Sequence, residues 1–438
     1  MSTPQTQNYA IDLRIGDIDR NFGDVIRAFE WKATVNGGFI VRIKLIDHGF
    51  DLLTRVFTKD FFETARQGQK PTIVQFRIGW PGSKYRTPWR TALISDIDCR
   101  GGSSYSGIFE FVALDPISFH INNGNCAGKV YKGPIGGDKG VIMQVLDDYL
   151  PDSVGDMSLV KNVTDTTDAP AKYWMMRQDP KTFIMSLLDW SSSLTPSKTS
   201  WIVANGEDED NLYIKIEESY TPTLNVPSPI ADQTGPLLFR FGGRKASLVG
   251  DIIKWEMLHD SFLVVLNTKL LTSGISAVSG QYLDKVSDHN EEFIYVKDDN
   301  TEKKVNPTFG SDRGYTKPGV LNKGFTHIMA VPEFNAGDIG KKYGEWIDGR
   351  ARQIYMDMLN MVMRIKITVT GEPRLFDCTD LGRCYVTLKW LGVEEDKAKF
   401  MDGNWLLYGW HHKCLKNWQT DIYLARLDFD AAAIPGQS

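Results

Sequence analysis

Two long regions of the sequence, one near each end, alternate apolar and polar residues with a period of two. The first region runs from Ala10 to Leu114 and includes FEWKATVNGGFIVRIKLID and GIFEFVALD, and the second includes MRIKITV and CYVTLKW. This period is typical of strands that bury one face and expose the other. The clearest hairpin spans Phe29 to Asp47, where Asn36-Gly37-Gly38 supplies residues that accept the positive φ of a tight turn. The chain is therefore predicted to be mainly β.

The stretch between these regions has a different pattern. KGVIMQVLDDYL has helical spacing, and Asp179 and Pro180 form a helix start before a second apolar stripe. WIVANGEDEDNLYIKIEE, from Trp201, reads as strand, turn and strand, with the acidic residues 207–210 expected at a solvated hairpin tip. Residues 119–235 are thus predicted to form an α+β insert domain between a β domain at 1–118 and a second one at 236–438.

Two further elements are expected within residues 236–438. Residues 272–335 are rich in Gly, Ser, Asp, Asn and Lys with little periodicity, which favours a long loop or arm. Residues 343–363 place apolar side chains on one face of about five helical turns. This helix is predicted to lead directly into the C-terminal strands and to pack across them.

Composition excludes several classes of protein. Of the 438 residues, 50 are basic and 55 acidic, which gives a formal net charge of -5 without a basic run, so stable nucleic-acid binding is disfavoured. No stretch approaches the roughly 20 apolar residues of a membrane span, and the start lacks the pattern of a signal peptide. We expect a soluble protein made in the cytoplasm, with no membrane partner and with its five cysteines reduced.

Motifs for catalysis, metals and cofactors are missing or poorly spaced. Zinc favours compact Cys and His spacings, and these candidates lack them: Cys378, Cys384, His411, His412 and Cys414. Adjacent strand residues such as His411 and His412 also point to opposite faces. GPIGGDKGVI departs from a phosphate-binding loop at Asp138 and after Lys139. The sequence therefore predicts no catalytic residue, no cofactor and no metal site, and favours a protein that is not an enzyme.

Several segments resemble a known family. These are VTGEPRL at 369–375 with Gly382 after it, the closing hairpin of WLLYGWHHKCL and TDIYLARLDF, and VALDPISF at 112–119 followed by two helices. Together they are similar to phage late-control and baseplate hub proteins, and to the spike proteins of type VI secretion. The resemblance marks Gly371, Pro373, Leu375 and Gly382 as structural turn residues. We expect Gly371 to require a positive φ that a β-branched residue resists.

This resemblance implies an architecture and a role. The fold would be mainly β with α+β insertions, with two tube-type β-barrel domains (1–118 and 236–438) that form a trimeric pseudo-sixfold ring. The protein would be a structural baseplate or tail hub of a phage or phage-like contractile particle, adapting the sixfold tail tube to a threefold central spike. Its partners would be two further copies, the spike and tail tube proteins, and also tape-measure and baseplate wedge proteins. DNA would pass through the channel without specific binding.

Two alternatives remain open from the residues alone. One is a tail-associated glycan hydrolase that uses a carboxylate pair the sequence does not reveal, because such pairs are defined by separation in space. The other is a carbohydrate- or receptor-binding module that uses exposed aromatic rings, with Trp80, Trp89 and Trp174 as candidates.

Overall fold

The computed structural model describes residues 9–16, 21–48, 71–82, 86–101, 106–123, 127–166, 171–176, 178–191, 200–219, 237–241, 252–257, 265–272, 325–331, 363–390 and 402–426. These ranges are mostly β-strand with few helices, which confirms the prediction of a mainly β chain. None of the described helices is both long and apolar enough to cross a membrane.

The elements follow the chain in this order. The helices are α1 (Pro116–Asn123), α2 (Val141–Tyr149) and α3 (Pro180–Trp190). The strands before α1 are β1 (Ala10–Ile15), β2 (Ile26–Thr34), β3 (Gly38–His48), β4 (Ile73–Gly79), β5 (Arg90–Gly101) and β6 (Ser106–Leu114). Those of the middle region are β7 (Ala127–Gly133), β8 (Ser153–Val154), β9 (Met157–Val163), β10 (Ala171–Met176), β11 (Ser200–Glu207) and β12 (Asn211–Ser219). The last are β13 (Leu237–Phe241), β14 (Ile252–Met257), β15 (Val265–Thr272), β16 (Phe325–Val331), β17 (Met363–Thr370), β18 (Tyr385–Trp390), β19 (Gly403–Cys414) and β20 (Trp418–Arg426).

Strands from both ends of the chain share one sheet of 12 strands. Its main path is β1-β4-β5-β6-β3-β2-β19-β20-β17-β14, and β13 and β18 branch from β19. The two halves meet where β2 pairs antiparallel with β19, from Thr34 opposite Gly409 to Phe29 opposite Cys414. Two separately closed barrels were expected, but the described strands close into none. The reason is that β2 uses both of its edges, one for β3 and one for β19, so it cannot close a barrel within residues 1–118.

One apolar core supports this sheet on one face. In β2 the side chains of Phe29, Trp31 and Ala33 are buried, whereas those of Glu30 and Lys32 between them point away from the core. The indole of Trp31 packs edge to face on that of Trp410 with ring centroids 4.7 Å apart. Aromatic pairs of this kind contribute about 0.5–1.5 kcal/mol beyond their burial. The halves are therefore joined by packing as well as by hydrogen bonds.

The middle region forms a smaller unit with its own core. The buried face of α2 comprises Val141, Ile142, Val145 and Leu146, as its spacing predicted. At the start of α3 the Asp179 carboxylate accepts a hydrogen bond from the Thr182 N–H at 2.8 Å, which confirms the predicted cap. Strands β11 and β12 pair antiparallel, and β12 pairs parallel with β9.

This unit docks on the hairpin between β2 and β3. Asn36 and Gly38 in the turn have φ of 57° and 62°, as a tight turn of these residues predicts. The Asn36 side chain accepts a hydrogen bond from the Val203 N–H of β11 at 2.8 Å. Buried Asp115 accepts from the Phe39 N–H at 3.0 Å and from Asn205 Nδ2 at 2.8 Å. The turn therefore connects the sheet with the insert.

Glu207 corrects one expectation about this docking. The acidic residues 207–210 were expected at a solvated tip, but the Glu207 side chain is only 7% exposed. Its carboxylate accepts from the Thr91 N–H at 2.8 Å and from the Thr91 hydroxyl at 2.7 Å, and Arg90 donates to its backbone carbonyl at 2.7 Å. Burial raises the pKa of Glu207, and Arg90 opposes that rise. The first residue of the acidic run thus belongs to the interface with the sheet.

Two predicted elements fall largely outside the described ranges. The helix expected over 343–363 lies outside the described residues except for Met363, where β17 begins. Within the loop or arm expected over 272–335, residues 325–331 form β16, which pairs parallel with β15. Backbone pairing with β15 holds this segment as a strand, although its sequence shows little periodicity.

Candidate functional surface: the polar face of the sheet

Eight neighbouring strands of the large sheet form a continuous antiparallel band. Its order is β5-β6-β3-β2-β19-β20-β17-β14, and each strand runs opposite to its neighbours. Four strands come from each end of the chain, and the two sets meet at β2 and β19. One face of the band lies on the core, and the other, called here the polar face, carries the alternate side chains.

Opposite charges meet from strand to strand across the polar face. Arg42 of β3 lies directly opposite Glu30 of β2. Contacts on the same face join Lys44 to Glu110 at 3.8 Å, Lys413 to Asp421 at 2.7 Å, and Lys366 to Glu256 at 2.5 Å. The polar face is thus a surface of mixed charge in which these cationic and anionic side chains are paired between neighbouring strands.

The charge states of two groups at the centre of this face follow from their surroundings. Burial and the neighbouring Lys413 ammonium lower the pKa of His411, so its 3.3 Å contact with Glu30 is a hydrogen bond of a neutral imidazole at pH 7. Burial alone would raise the pKa of Asp421, but hydrogen bonds from Lys413 and Thr368 hold it below its usual value. Exposed ion pairs such as that of Lys44 with Glu110 contribute only about 0–1 kcal/mol each.

The band ends in two strands with open edges. β5 pairs with β4 only through residues 90–93, which leaves residues 95–101 with one neighbour among the described strands, β6. At the other end, β14 pairs only with β17 within the described part of the chain. β14 exposes large apolar side chains, with Ile253 at 43% and Trp255 at 41%. Among the described strands, the open edges make both ends suited to strand pairing with another chain, and β14 adds exposed apolar side chains.

The turn after β17 packs against the hairpin of β19 and β20. A Cβ on Gly371 would lie 1.9 Å from Cδ2 of Trp418. The backbone of Gly371 does not adopt a positive φ. The expectation that this position needs glycine for its dihedral angle is therefore wrong, and the requirement is steric. Pro373 and Leu375 are buried in the same turn, and Gly382 has a φ of 77° and faces Val35 and Ile202.

Buried His412 ties this turn to the hairpin. Its Nε2 lies 2.7 Å from the Leu375 carbonyl oxygen and so carries the proton that it donates. Its Nδ1 then accepts from the Thr420 hydroxyl at 2.8 Å and from the Trp418 indole N–H at 3.2 Å. Thr420 in turn accepts from the Glu372 N–H at 3.0 Å. Burial lowers the pKa of His412 to about 4, so this network holds a neutral imidazole.

The residues considered for a metal site are dispersed. His412 points into the core and His411 to the polar face, as the alternation of strand residues predicts. Cys378, Cys384 and Cys414 are buried, and burial raises the pKa of the Cys378 and Cys414 thiols. Among the residues with described positions, no three His, Cys, Asp or Glu side chains are grouped to hold a metal ion.

The three tryptophans considered for sugar stacking differ in their surroundings. Trp80 packs on the core with its ring centroid 5.0 Å from that of Trp418. The Trp89 ring is covered by Arg14 and Arg77, whose guanidinium carbons lie 4.4 and 4.7 Å from its centroid. Trp174, by contrast, is 60% exposed. Of these three candidates, Trp174 is the one whose ring is exposed enough for stacking.

Comparisons with solved structures relate this architecture to known proteins. No protein-family model matches the chain, and no curated protein sequence matches it. The tail protein from Neisseria meningitidis MC58 is similar at a TM-score of 0.50 and 10% identity, over 96% of this chain and 97% of that one. A chain of the Francisella PdpA-VgrG complex is similar at a TM-score of 0.54 and 10% identity, over 100% of this chain and 55% of that one.

The 43 kDa tail protein of prophage MuSo2 from Shewanella oneidensis aligns at a TM-score of 0.49 and 10% identity, over 97% of this chain and 99% of that one. At such identities the likeness concerns the fold. The resemblance of the sequence to phage tail proteins and type VI secretion spikes is confirmed at that level, and the chain shares the fold of the Neisseria tail protein and of a chain of the PdpA-VgrG complex.

Proposed function

We propose that the protein is the baseplate or tail hub of a phage or phage-like contractile particle and that it is not an enzyme. Three copies would form a ring that adapts a sixfold tail tube to a threefold central spike. The observation that carries this proposal is the eight-strand band, with its polar face and its two open edges. The fold shared with a tail protein supports the same role.

The band supports a ring because its ends can join. Alternating antiparallel strands place β5 and β14 in opposite directions, so β14 of one copy can pair antiparallel with β5 of the next. Three copies joined in this way give a closed band of 24 strands. Cyclic closure satisfies the open edges that an isolated chain exposes.

The same strand order would allow a ring of three copies to fit a tail tube of sixfold symmetry. Each copy supplies two sets of four strands, β5-β6-β3-β2 and β19-β20-β17-β14, which meet at β2 and β19. A trimer would therefore present six four-strand modules around its axis. The tail tube protein would contact one rim of the ring and the spike protein the other, with tape-measure and baseplate wedge proteins as further partners.

The polar face would line the channel of this ring, because the opposite face is occupied by the core. The chain as a whole is acidic, with a formal net charge of -5, but the charges on this face are mixed. Pairing of Lys44, Lys366 and Lys413 with carboxylates would instead limit the attraction of phosphates. A channel lining whose positive and negative side chains are paired with each other would allow DNA to pass without specific binding.

Light scattering after size-exclusion chromatography tests this proposal. We expect a trimer of the 49.4 kDa chain, alone or with its spike, and a monomer at high concentration would contradict it. Asp96 and Lys254 lie on the polar side of the two edge strands, and neither forms an ion pair with another of the described residues. Each single reversal, Asp96→Lys or Lys254→Asp, should weaken the trimer, and the double reversal should restore it.

A further inference from the structure

A second surface lies on the insert. Strands β7 and β10 form a two-stranded antiparallel ribbon in which Trp174 lies opposite Val130 and Lys172 lies opposite Lys132. These four residues share one side, called here the ribbon face. Trp174 is 60% exposed and Val130 is 57% exposed. An exposed aromatic and aliphatic pair on a sheet is a feature of interaction sites.

The ribbon is held firmly by its other side. Tyr131, Tyr173 and Met175 are buried in the core of the insert. The Tyr131 hydroxyl also donates a hydrogen bond to the Asp148 carboxylate at 2.8 Å. The ribbon face is consequently a fixed surface that can be recognised without prior rearrangement.

The charges of the ribbon face are not balanced within the described residues. Lys132 and Lys172 are exposed and directly opposite each other, and like charges in such a pair destabilise a sheet. Lys129, on the buried side of the same ribbon, instead pairs with the carboxylate of Asp148. A carboxylate from outside the described residues would relieve the repulsion between Lys132 and Lys172.

We propose that the ribbon face docks an acidic segment of a partner protein, with an apolar side chain on Trp174 and Val130 and carboxylates on Lys132 and Lys172. The phosphate backbone of DNA fits less well. Asp148 is paired with Lys129 and Asp147 with Lys161, so these carboxylates leave the charges of Lys132 and Lys172 uncompensated. The exposed Trp174 and Val130 beside those lysines require an apolar side chain as well, which a phosphate backbone does not supply.

Fluorescence anisotropy of a labelled EDFLDE peptide, together with quenching of tryptophan emission, tests this proposal on the full chain. We expect saturable binding that weakens at least tenfold in Trp174→Ala and in the double variant Lys132→Glu, Lys172→Glu. The double variant should now prefer a KKFLKK peptide. Lys389→Glu and Val160→Ala change an exposed lysine and an exposed valine elsewhere and should bind EDFLDE normally.

Thermal melts identify any variant that fails to fold. The double variant Lys132→Glu, Lys172→Glu keeps the test decisive, because it should lose binding of EDFLDE and gain binding of KKFLKK. Equal EDFLDE binding by Trp174→Ala, or no binding by the parent chain, would overturn the proposal. Binding of phosphatidylserine vesicles or of a DNA oligonucleotide through these lysines, without binding of EDFLDE, would also overturn it and identify the other class of partner.

Discussion

Gly371 lies directly against the indole of Trp418. The Gly371 N–H donates a hydrogen bond to the Trp418 carbonyl at 3.0 Å, and a Cβ at Gly371 would come within 2.4 Å of Cε2 and Cε3 of the ring. The ring is fully buried and cannot move aside easily. The turn after β17 and the hairpin of β19 and β20 are therefore packed together at a point where only glycine fits.

The steric origin of this constraint predicts that a single methyl group is enough to disturb it. We expect Gly371→Ala to lower the free energy of unfolding by at least about 2 kcal/mol through overpacking. Urea denaturation measures this change. Trp418→Phe should be less damaging in the Gly371→Ala background than in the parent, because the smaller ring leaves room for the methyl group. Strictly additive effects of the two substitutions would show that they do not meet.

His412 should make stability depend on pH. Its folded pKa of about 4 lies below the ordinary value of 6.5, so its contribution is complete above pH 6.5 and is lost as the pH falls towards 4. The loss amounts to about 3 kcal/mol at most. Urea denaturation of the parent and of His412→Gln measures this effect. The difference in their free energies of unfolding should shrink as the pH falls from 7 to 4.5. His411→Gln, on the polar face, should alter this dependence less, and a parallel response of parent and His412→Gln would contradict the assignment.

Asp380 should act with the opposite sign. Burial and the nearby Asp377 carboxylate raise its pKa from 3.8 to about 7, so the folded state is penalised increasingly as the pH rises from 4 to 7. Asp380→Asn removes the charge, and we expect it to be more stable than the parent at pH 8 by up to about 4 kcal/mol. At pH 4 the two proteins should be nearly equal. A variant less stable at pH 8 would show that the ionised carboxylate is needed.

Glu207 should connect the insert with the sheet through its carboxylate oxygens. Both of these accept hydrogen bonds from Thr91, and loss of a buried charged partner costs about 3–5 kcal/mol. We expect Glu207→Ala to lower stability strongly and Glu207→Gln to lower it less, because Gln keeps one acceptor. Glu209→Ala, from the same acidic run, should be nearly neutral. Similar losses at positions 207 and 209 would place the contact elsewhere.

The alternation of residues predicted most of the strands, because burial of one face imposes a period of two. It also predicted the turn at Asn36 and the cap at Asp179, since these depend on neighbouring residues. The pairing of β2 with β19 was not predictable, because the residues of a strand do not determine which other strand pairs with its second edge. The position of Glu207 was missed for a related reason: its burial depends on Thr91, which lies more than 100 residues away in the chain.

The candidate surface was predictable only in part. The turn residues Gly371 and Gly382 stand out in the sequence, but the reason for Gly371 is the ring of Trp418, which no local pattern contains. The polar face follows from the alternation, whereas the pairing of its charges depends on register. His411 and His412 illustrate the difference, since alternation assigns them to opposite faces but not to the partners Glu30 and Leu375.

Intersubunit crosslinking tests the central claim most directly, because it reports whether β5 of one copy meets β14 of another. In a Cys99→Ser background, which removes the exposed thiol of β5, the pair Asp96→Cys and Lys254→Cys should form disulfides under mild oxidation. The account predicts a covalent trimer on a non-reducing gel, abolished by dithiothreitol and absent from either single cysteine variant. A chain that stays monomeric on that gel, while light scattering shows a trimer, would contradict joining of the band through these edges.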